Sequence, residues 1–258
     1  MDNWITPNNL WYIRNHHPVP KINIQDFKLE INNIAHKTLL SLDQIKKMNS
    51  QTVITTIQCG GNRRSELNVI DKTSGTPWQF GAISTAKWKG LPLRDLLIKS
   101  GLTEKDIQTG KIKHVHFEGW DGVKASIPIE KAMNVYDDVL IAYEMNDLQI
   151  PPDHGFPLRV IVPGFVGIRN IKWLKKITLS HQEVDGVWQK GISYKVLPPY
   201  IKDANNISIE KVAPIQEPPV QSCIVDIKKD NKTNKTIVKG FAWSGGGRGI
   251  IRVEVSFD

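Results

Sequence analysis

The chain has 258 residues, 40% of them hydrophobic and 23% charged, enough for one large core or a main domain with a small companion, and a composition that excludes a disordered chain. Thirty-four Lys and Arg against 26 Asp and Glu give a formal charge of +8, which favours anionic partners. The basic residues are spread along the chain without zinc-finger spacing or an RNA-binding aromatic signature, so nucleic acid is set aside. No apolar run approaches the roughly 20 residues of a membrane helix, and the N-terminus carries no secretory or transit pattern. The expectation is an intracellular, soluble protein; a mitochondrial or peroxisomal address stays open, with no targeting signal visible.

Residues 1–20 read as irregular and end in His16-His17-Pro18-Val19-Pro20, where the prolines favour extended backbone. Residues 28–31 alternate as a short strand, and 41–48 read as a short helix with Ser41 as its N-cap. Val53-Ile54-Thr55-Thr56-Ile57 is β-branched and reads as a buried strand. The clearest helix spans 92–101, with proline at its start and Gly101 just past its end. Strands are expected at 114–117, 139–143 and 159–162, a loop at 119–122, a strand-to-helix passage at 125–133 and an alternating segment at 173–179. The pattern is α+β, with too many irregular strands for a doubly wound sheet.

Proline-rich texture between 197 and 220 marks a domain boundary, dividing the chain into 1–213 and 214–258. The second part reads as strand and turn, with strands at 223–227, 236–243 and 250–257. Ser244-Gly245-Gly246-Gly247-Arg248 fits a hairpin or bulge, since no Gly-Lys-Ser/Thr follows and no helix follows. About three strands stand where a β-sandwich has about seven, so this part reads as a truncated sandwich.

Chemistry concentrates in Gln58-Cys59-Gly60-Gly61-Asn62-Arg63-Arg64-Ser65-Glu66. A strand delivers Cys59 to its C-terminal end, adjacent guanidinium groups favour a thiolate, and the glycines admit a bulky anion close to the backbone. A lone cysteine is more often buried and inert; here the neighbours reverse that weighting. Cys223 sits in the unlike setting Gln-Ser-Cys-Ile-Val, and both cysteines are expected to be reduced. Three other stretches share the same character, with Arg, His, Asn or Asp beside glycine or proline: Arg14-Asn15-His16, the segment 118–122, and the segment 153–159. Singly, such residues are more often structural. Jointly they suit the enclosure of a large polyanionic cofactor, with Cys59 as a soft ligand for a metal that it carries.

These residues resemble the sulfite oxidase family of molybdenum enzymes. The resemblance runs through 13–20, 58–66, 81–88, 142–146 and 153–173, and residues 242–248 look like the family's immunoglobulin-like dimerisation domain. It implies a molybdopterin-binding domain of mixed sheets and helices, followed by an incomplete immunoglobulin-like β-sandwich. It implies one molybdenum–molybdopterin cofactor per chain, with Cys59 as the thiolate ligand of the metal and Tyr12, Ile13, Arg14, Asn15, His16, Asp121, His154, Arg159, Asn170, Ile171 and Lys172 holding the pterin and phosphate. Asn170 stands where the family often has histidine, a change that backbone contacts survive. The substrate pocket is implied to consist of Arg14, Arg64, Trp78 and Tyr194, the guanidinium forks binding a divalent oxyanion.

The implied activity is oxidation of sulfite to sulfate by oxo transfer at the Cys59-ligated metal. Assimilatory nitrate reduction is the enzymatic alternative; His17-Pro18, Ser65-Glu66 and Ala82-Ile83-Ser84-Thr85 look more like the sulfite branch. A cofactor-binding remnant without turnover is the other alternative, because a further substrate-site arginine of the family falls beyond residue 258. No haem-binding His-Pro-Gly-Gly pattern occurs, so electrons are expected to pass to dioxygen or to a separate cytochrome. The family is homodimeric, and a shortened β-domain would lack part of that interface.

Overall fold

The computed structural model describes residues 4–33, 36–197, 200–201, 203 and 207–256. Two sheets form the body. The first contains β1 (Lys28–Asn32), β2 (Lys37–Ser41), β5 (His114–Gly119), β6 (Lys124–Pro128) and β10 (Leu174–Ser180) in the order β2-β1-β10-β5-β6. Its neighbours are antiparallel except for the parallel pair β1 and β10. The second runs β3 (Gln51–Gln58), β4 (Ile83–Pro92), β7 (Leu140–Met145) and β8 (Leu148–Gln149), and β9 (Arg159–Ile161) also pairs with β7. The helices are short: α1 (Leu42–Lys46), α2 (Arg64–Leu67), α3 (Leu93–Lys99), α4 (Glu104–Gln108) and α5 (Ile129–Met133). Among the described residues no helix is long and apolar enough to cross a membrane.

The main core receives one face of each sheet. Leu29 and Ile31 of β1, Val115 and Phe117 of β5 and Ile177 of β10 meet Ile141 and Tyr143 of β7, Val160 of β9 and Leu93, Leu96 and Leu97 of α3. Strand β7 is buried on both sides, so its period of two sends Ile141 and Tyr143 into this core while Leu140 and Ala142 enter a second cluster with Ile57, Ala86 and Trp88. The irregular N-terminal segment covers that second cluster. Trp11 packs edge-on against Trp88 with ring centroids 5.5 Å apart, and Asn146 Nδ2 donates to Thr6 O at 2.9 Å and to Asn8 Oδ1 at 2.7 Å.

Several expectations are met closely. Ser41 caps α1 in a capping box: Gln44 N donates to Ser41 Oγ at 3.2 Å and Ser41 N to Gln44 Oε1 at 2.8 Å. The strand before Cys59, the strand-to-helix passage β6–α5 and the strands β5, β7, β9 and β10 all form. Others need correction. Strands β2, β4 and β8 and helices α2 and α4 were not anticipated, and the helix expected over 92–101 is confined to α3, its start taken up by the end of β4. The strand expected over 250–257 does not form in its described part: residues 250–256 lie in no strand, although their apolar residues alternate. Alternation organises a strand only when another strand takes its backbone hydrogen bonds, and the C-terminal sheet of β11 (Gln221–Asp230) and β12 (Lys235–Trp243) has two members.

The segments on either side of the C-terminal hairpin are fastened to the body. Arg169, fully buried, donates through Nη2 to Ile215 O at 2.9 Å and through Nη1 to Trp188 O at 3.1 Å. Val166 N donates to Gln216 O at 2.7 Å, and Gly246 N to Gly164 O at 2.9 Å. Of the expected boundary, Pro198 and Pro199 lie outside the described residues.

Candidate functional site

Strand β3 ends at Gln58, and Cys59 begins a tight turn held against residue 82 by a hydrogen bond from Cys59 N to Ala82 O at 3.0 Å. Gly61 N donates to Cys59 Sγ at 3.4 Å and Asn62 N to Cys59 O at 3.0 Å, so the turn presents the sulfur with a backbone donor, an interaction suited to a metal-bound thiolate. The glycines leave room for the side chains packed against them. A Cβ at Gly60 would stand 3.0 Å from the Tyr194 ring, and one at Gly61 would stand 2.9 Å from the Arg64 guanidinium.

The buried sulfur opens into a cleft. Of the residues expected at the site, Tyr12, Arg14, Asn15, His16, Cys59, Asp121, Arg159, Asn170, Ile171, Lys172 and Tyr194 line it together. Five distant stretches converge because the N-terminal segment, the β3 turn, the β5–β6 loop, the residues from β9 to β10 and the segment around 194 all reach the same end of the two sheets. Four expected residues stand outside the lining. Ile13 is 47% exposed. His154 is buried, with Nε2 3.2 Å from Asn8 O, and its carbonyl accepts from Arg159 Nη1 at 3.1 Å. Arg64 lies behind Gly61 with Nη1 donating to Thr76 O at 3.0 Å. Trp78 meets Tyr12 edge-on at 6.4 Å.

The two arginines after the cysteine turn have separate tasks. Arg63, in left-handed backbone at φ 64, donates from Nε to both Glu66 carboxylate oxygens, at 3.0 and 2.9 Å, and from Nη1 to Ser222 O at 2.6 Å. The expectation that both guanidinium groups serve the thiol is therefore corrected for Arg63, whose charge is matched by Glu66 three residues on.

Charge inside the cleft is strongly conditioned by burial. Arg159 is 3% exposed, its guanidinium stacks over Trp88 at 5.1 Å, and its Nε has no partner among the described residues. Desolvation brings its pKa down to about 10. Lys172 Nζ donates to Asn15 Oδ1 at 2.6 Å and to Asp153 O at 2.7 Å; burial, then repulsion from Arg159, lowers it to about 6. Asp121 accepts from Val123 N at 3.2 Å, and burial raises its carboxyl above the ordinary value. At pH 7 Arg159 keeps its charge while Lys172 is largely neutral; an anion beside them favours the charged form of both, so the pair suits a polyanionic ligand.

His16 joins two further residues: its Nδ1 lies 3.2 Å from Arg14 Nη2 and its Nε2 3.4 Å from Tyr194 Oη. Burial and the neighbouring Arg14 bring its pKa to about 4, so the ring is neutral at pH 7. A guanidinium only donates, so Nδ1 accepts and Nε2 carries the hydrogen. Tyr194 takes φ 62, and burial with the Cys59 charge pushes its phenol up to about 12. Asn170 spends its side chain on the fold: Oδ1 accepts from Val162 N at 2.7 Å, and Nδ2 donates to Phe165 O at 3.4 Å and Val166 O at 3.2 Å.

Trp11, Val123, Gly167, Ile168 and Trp173 also line the cleft and were missed from sequence. Trp173 was read as the start of an alternating strand. It instead precedes β10 at φ 51, with Nε1 donating to Pro152 O at 2.7 Å. The Gly-Ile-Arg-Asn run at 167–170 carried a usable signal, a glycine beside polar residues after a buried strand.

Comparison with known proteins agrees with this architecture. The model of the oxidoreductase molybdopterin binding domain matches residues 16–188, and that of the Mo-co oxidoreductase dimerisation domain matches residues 212–258. The mitochondrial sulfite oxidase of Drosophila melanogaster is 43% identical over the whole chain, which spans 46% of that protein. The sulfite oxidase of Arabidopsis thaliana is 36% identical, with 100% of this chain and 68% of that protein covered. An NADH nitrate reductase of Phaseolus vulgaris is more distant, at 34% identity over 99% of this chain and 31% of its own length. The chain thus spans about half the length of several curated relatives that it matches. The crystal structure of the sulfane dehydrogenase SoxCD from Paracoccus pantotrophus superposes with a TM-score of 0.75 at 22% identity, covering 96% of this chain and 61% of that one, a likeness of fold. By sequence match along its full length and by its fold, the chain belongs to the sulfite oxidase family of molybdopterin-binding oxidoreductases.

Proposed function

We propose that the cleft binds molybdenum as its molybdopterin complex, with Cys59 Sγ as the protein ligand of the metal, and that the loaded chain oxidises sulfite to sulfate. The observation carrying this reading is a single cysteine sulfur opening into a cleft that also holds Arg14, Arg159, Lys172 and Asp121. Among the described residues no group of three or more His, Cys, Asp or Glu side chains is placed to hold a metal. A metal at Cys59 therefore takes further ligands from the group that carries it, as the dithiolene sulfurs of a pterin supply. The unpartnered Arg159 Nε fits an acceptor on the same group.

When bound, the metal supplies the oxygen-atom transfer and the two-electron redox change. The chain supplies binding, orientation and charge. Arg159 and Lys172 are assigned to the cofactor's phosphate, with His154 acting through the Arg159 guanidinium that its carbonyl holds. Asp121 accepts from pterin N–H groups, and the backbone of Asn170 and Ile171 with Tyr12, Asn15 and His16 completes the cradle; exposed Ile13 is left out of it. Arg14 binds the oxyanion. Tyr194 keeps its proton at neutral pH and donates to that anion, while Arg64 behind Gly61 and Trp78 beside Tyr12 form the outer wall. The +8 charge raises the encounter rate with a divalent anion.

The rest of the reading follows the family. Residues 1–213 are assigned to cofactor binding and 214–258 to contact with a second copy of the chain, and electrons are assigned to dioxygen or a separate cytochrome. The test is expression in a molybdopterin-producing host, metal analysis, and assay of sulfite-dependent ferricyanide reduction beside nitrate reduction with a reduced dye. Molybdenum with sulfite turnover is expected. Nitrate turnover in its place would move the chain to the alternative chemistry, and metal with neither activity would leave a cofactor-binding remnant.

A further inference from the structure

Asn62 belongs to the cysteine motif, yet it does not line the cleft and has no part in the chemistry above. It is 6% exposed, and its polar groups are committed in three directions. The backbone N–H donates to Cys59 O at 3.0 Å, Oδ1 accepts from Ala82 N at 3.0 Å, and Nδ2 donates to Gln221 Oε1 at 3.2 Å. Ala82 O also receives Cys59 N, so both ends of the turn are fixed to one residue just before β4. Gln221 is the first residue of β11 and lies 159 positions from Asn62 along the chain; Arg63 Nη1 makes a parallel contact to the next residue, donating to Ser222 O at 2.6 Å. An apolar residue would fill the space at 62; an amide that both accepts and donates is needed only if both partners matter.

We propose that Asn62 is a positioning residue that clamps the Cys59 turn between β4 and the C-terminal hairpin, so that the docking of β11 sets how firmly the thiol is presented to the metal. This rests on the assignment of Cys59 as the metal's ligand. The hairpin then has a task inside its own chain besides any contact with a second copy: a disturbance of β11 reaches the turn at Asn62, whose side chain also holds Ala82 N, and at its neighbour Arg63.

The contact can be tested by charge. In Asn62→Asp the carboxylate still accepts from Ala82 N, and the Gln221 amide can turn to donate to it. In Gln221→Glu the new carboxylate still accepts from Asn62 Nδ2. Only the double variant sets two carboxylates against each other. Deuterium exchange is followed on peptides covering 59–66 of the full chain purified from a molybdopterin-producing host, together with molybdenum retained per chain after gel filtration. Each single variant should exchange within about 2-fold of wild type, while the double variant should exchange about 5- to 10-fold faster there, as loss of one buried hydrogen bond implies. Peptides from the first sheet should keep their rates, and retained molybdenum should fall. Additive behaviour of the double variant in exchange and metal would overturn the proposal.

If the double variant fails to fold, Gln221→Ala takes its place, at a half-buried position outside both cores. Faster exchange at 59–66 is again expected, and unchanged exchange overturns the clamp. Exchange needs no turnover. A wild-type chain that binds no molybdenum would refute the proposed function, while the coupling of β11 to the turn could still be read from exchange alone.

Discussion

Arg14 and Arg64 share a side chain but occupy different positions: Arg14 lines the cleft, whereas Arg64 stands behind Gly61 and spends a donor on Thr76 O. If the cleft binds sulfite, Arg14→Gln should raise KM by roughly 10- to 100-fold, as loss of a charge-assisted hydrogen bond implies. Arg64→Gln should raise it less, about 10-fold or below. Steady-state kinetics at saturating and limiting sulfite separates KM from kcat, and the reverse order would remove Arg14 from the substrate pocket. Sequence alone could find Cys59, because glycines and arginines beside a cysteine are chemically distinctive. It could not divide the arginine pair. That division depends on Glu66 one helical turn later and on Ser222, which only the folded chain brings near. Trp173 was hidden for a related reason, since its left-handed backbone breaks the alternation that made it look like strand.

At the scale of elements, β4 shows how a motif can conceal a strand. Ala86 and Trp88 point into the second cluster while Lys87 and Lys89 reach Asp147 and Glu144, a period of two overlaid in the sequence by the glycine, serine and threonine of 81–85. Trp88 links fold to site, because its ring supports Trp11 on one side and the Arg159 guanidinium on another. Trp88→Ala should destabilise the chain by about 3–5 kcal/mol, the usual cost of emptying a fully buried aromatic site. It should also weaken cofactor retention by freeing Arg159. Urea denaturation measures the first effect, and a loss below about 1 kcal/mol would show that the ring is not a core support. The C-terminal segment 250–256 gives the opposite lesson. Its alternation was legible, but alternation specifies which residues share a face and cannot supply the neighbouring strand.

For the whole molecule, the α+β class was readable from irregular strand spacing, whereas the order β2-β1-β10-β5-β6 was not. The parallel pairing of β1 with β10 joins residues 146 positions apart, such as Glu30 and Lys176, and no local pattern encodes that register. Burial of charge makes stability depend on pH. His154 and His16 titrate at about 4 in the folded chain against 6.5 normally, so between those values the unfolded chain holds more protons and stability falls as pH drops. Lys172, at about 6 against 10.5, acts with the same sign between pH 10.5 and 6. The denaturation midpoint of cofactor-free chain should therefore decline from pH 7 to pH 4.5, and His154→Gln should flatten the slope. A midpoint that stays level or rises on acidification would contradict these burials.

If Cys59 Sγ ligates the metal in this cleft, X-ray absorption at the molybdenum edge reads the bond without requiring turnover. In Cys59→Ser the pterin should stay bound through Arg159, Lys172 and their neighbours, the metal should show one sulfur neighbour fewer than in wild type, and sulfite turnover should be lost. An unchanged sulfur shell in a molybdenum-loaded Cys59→Ser chain would show that Cys59 is not the ligand.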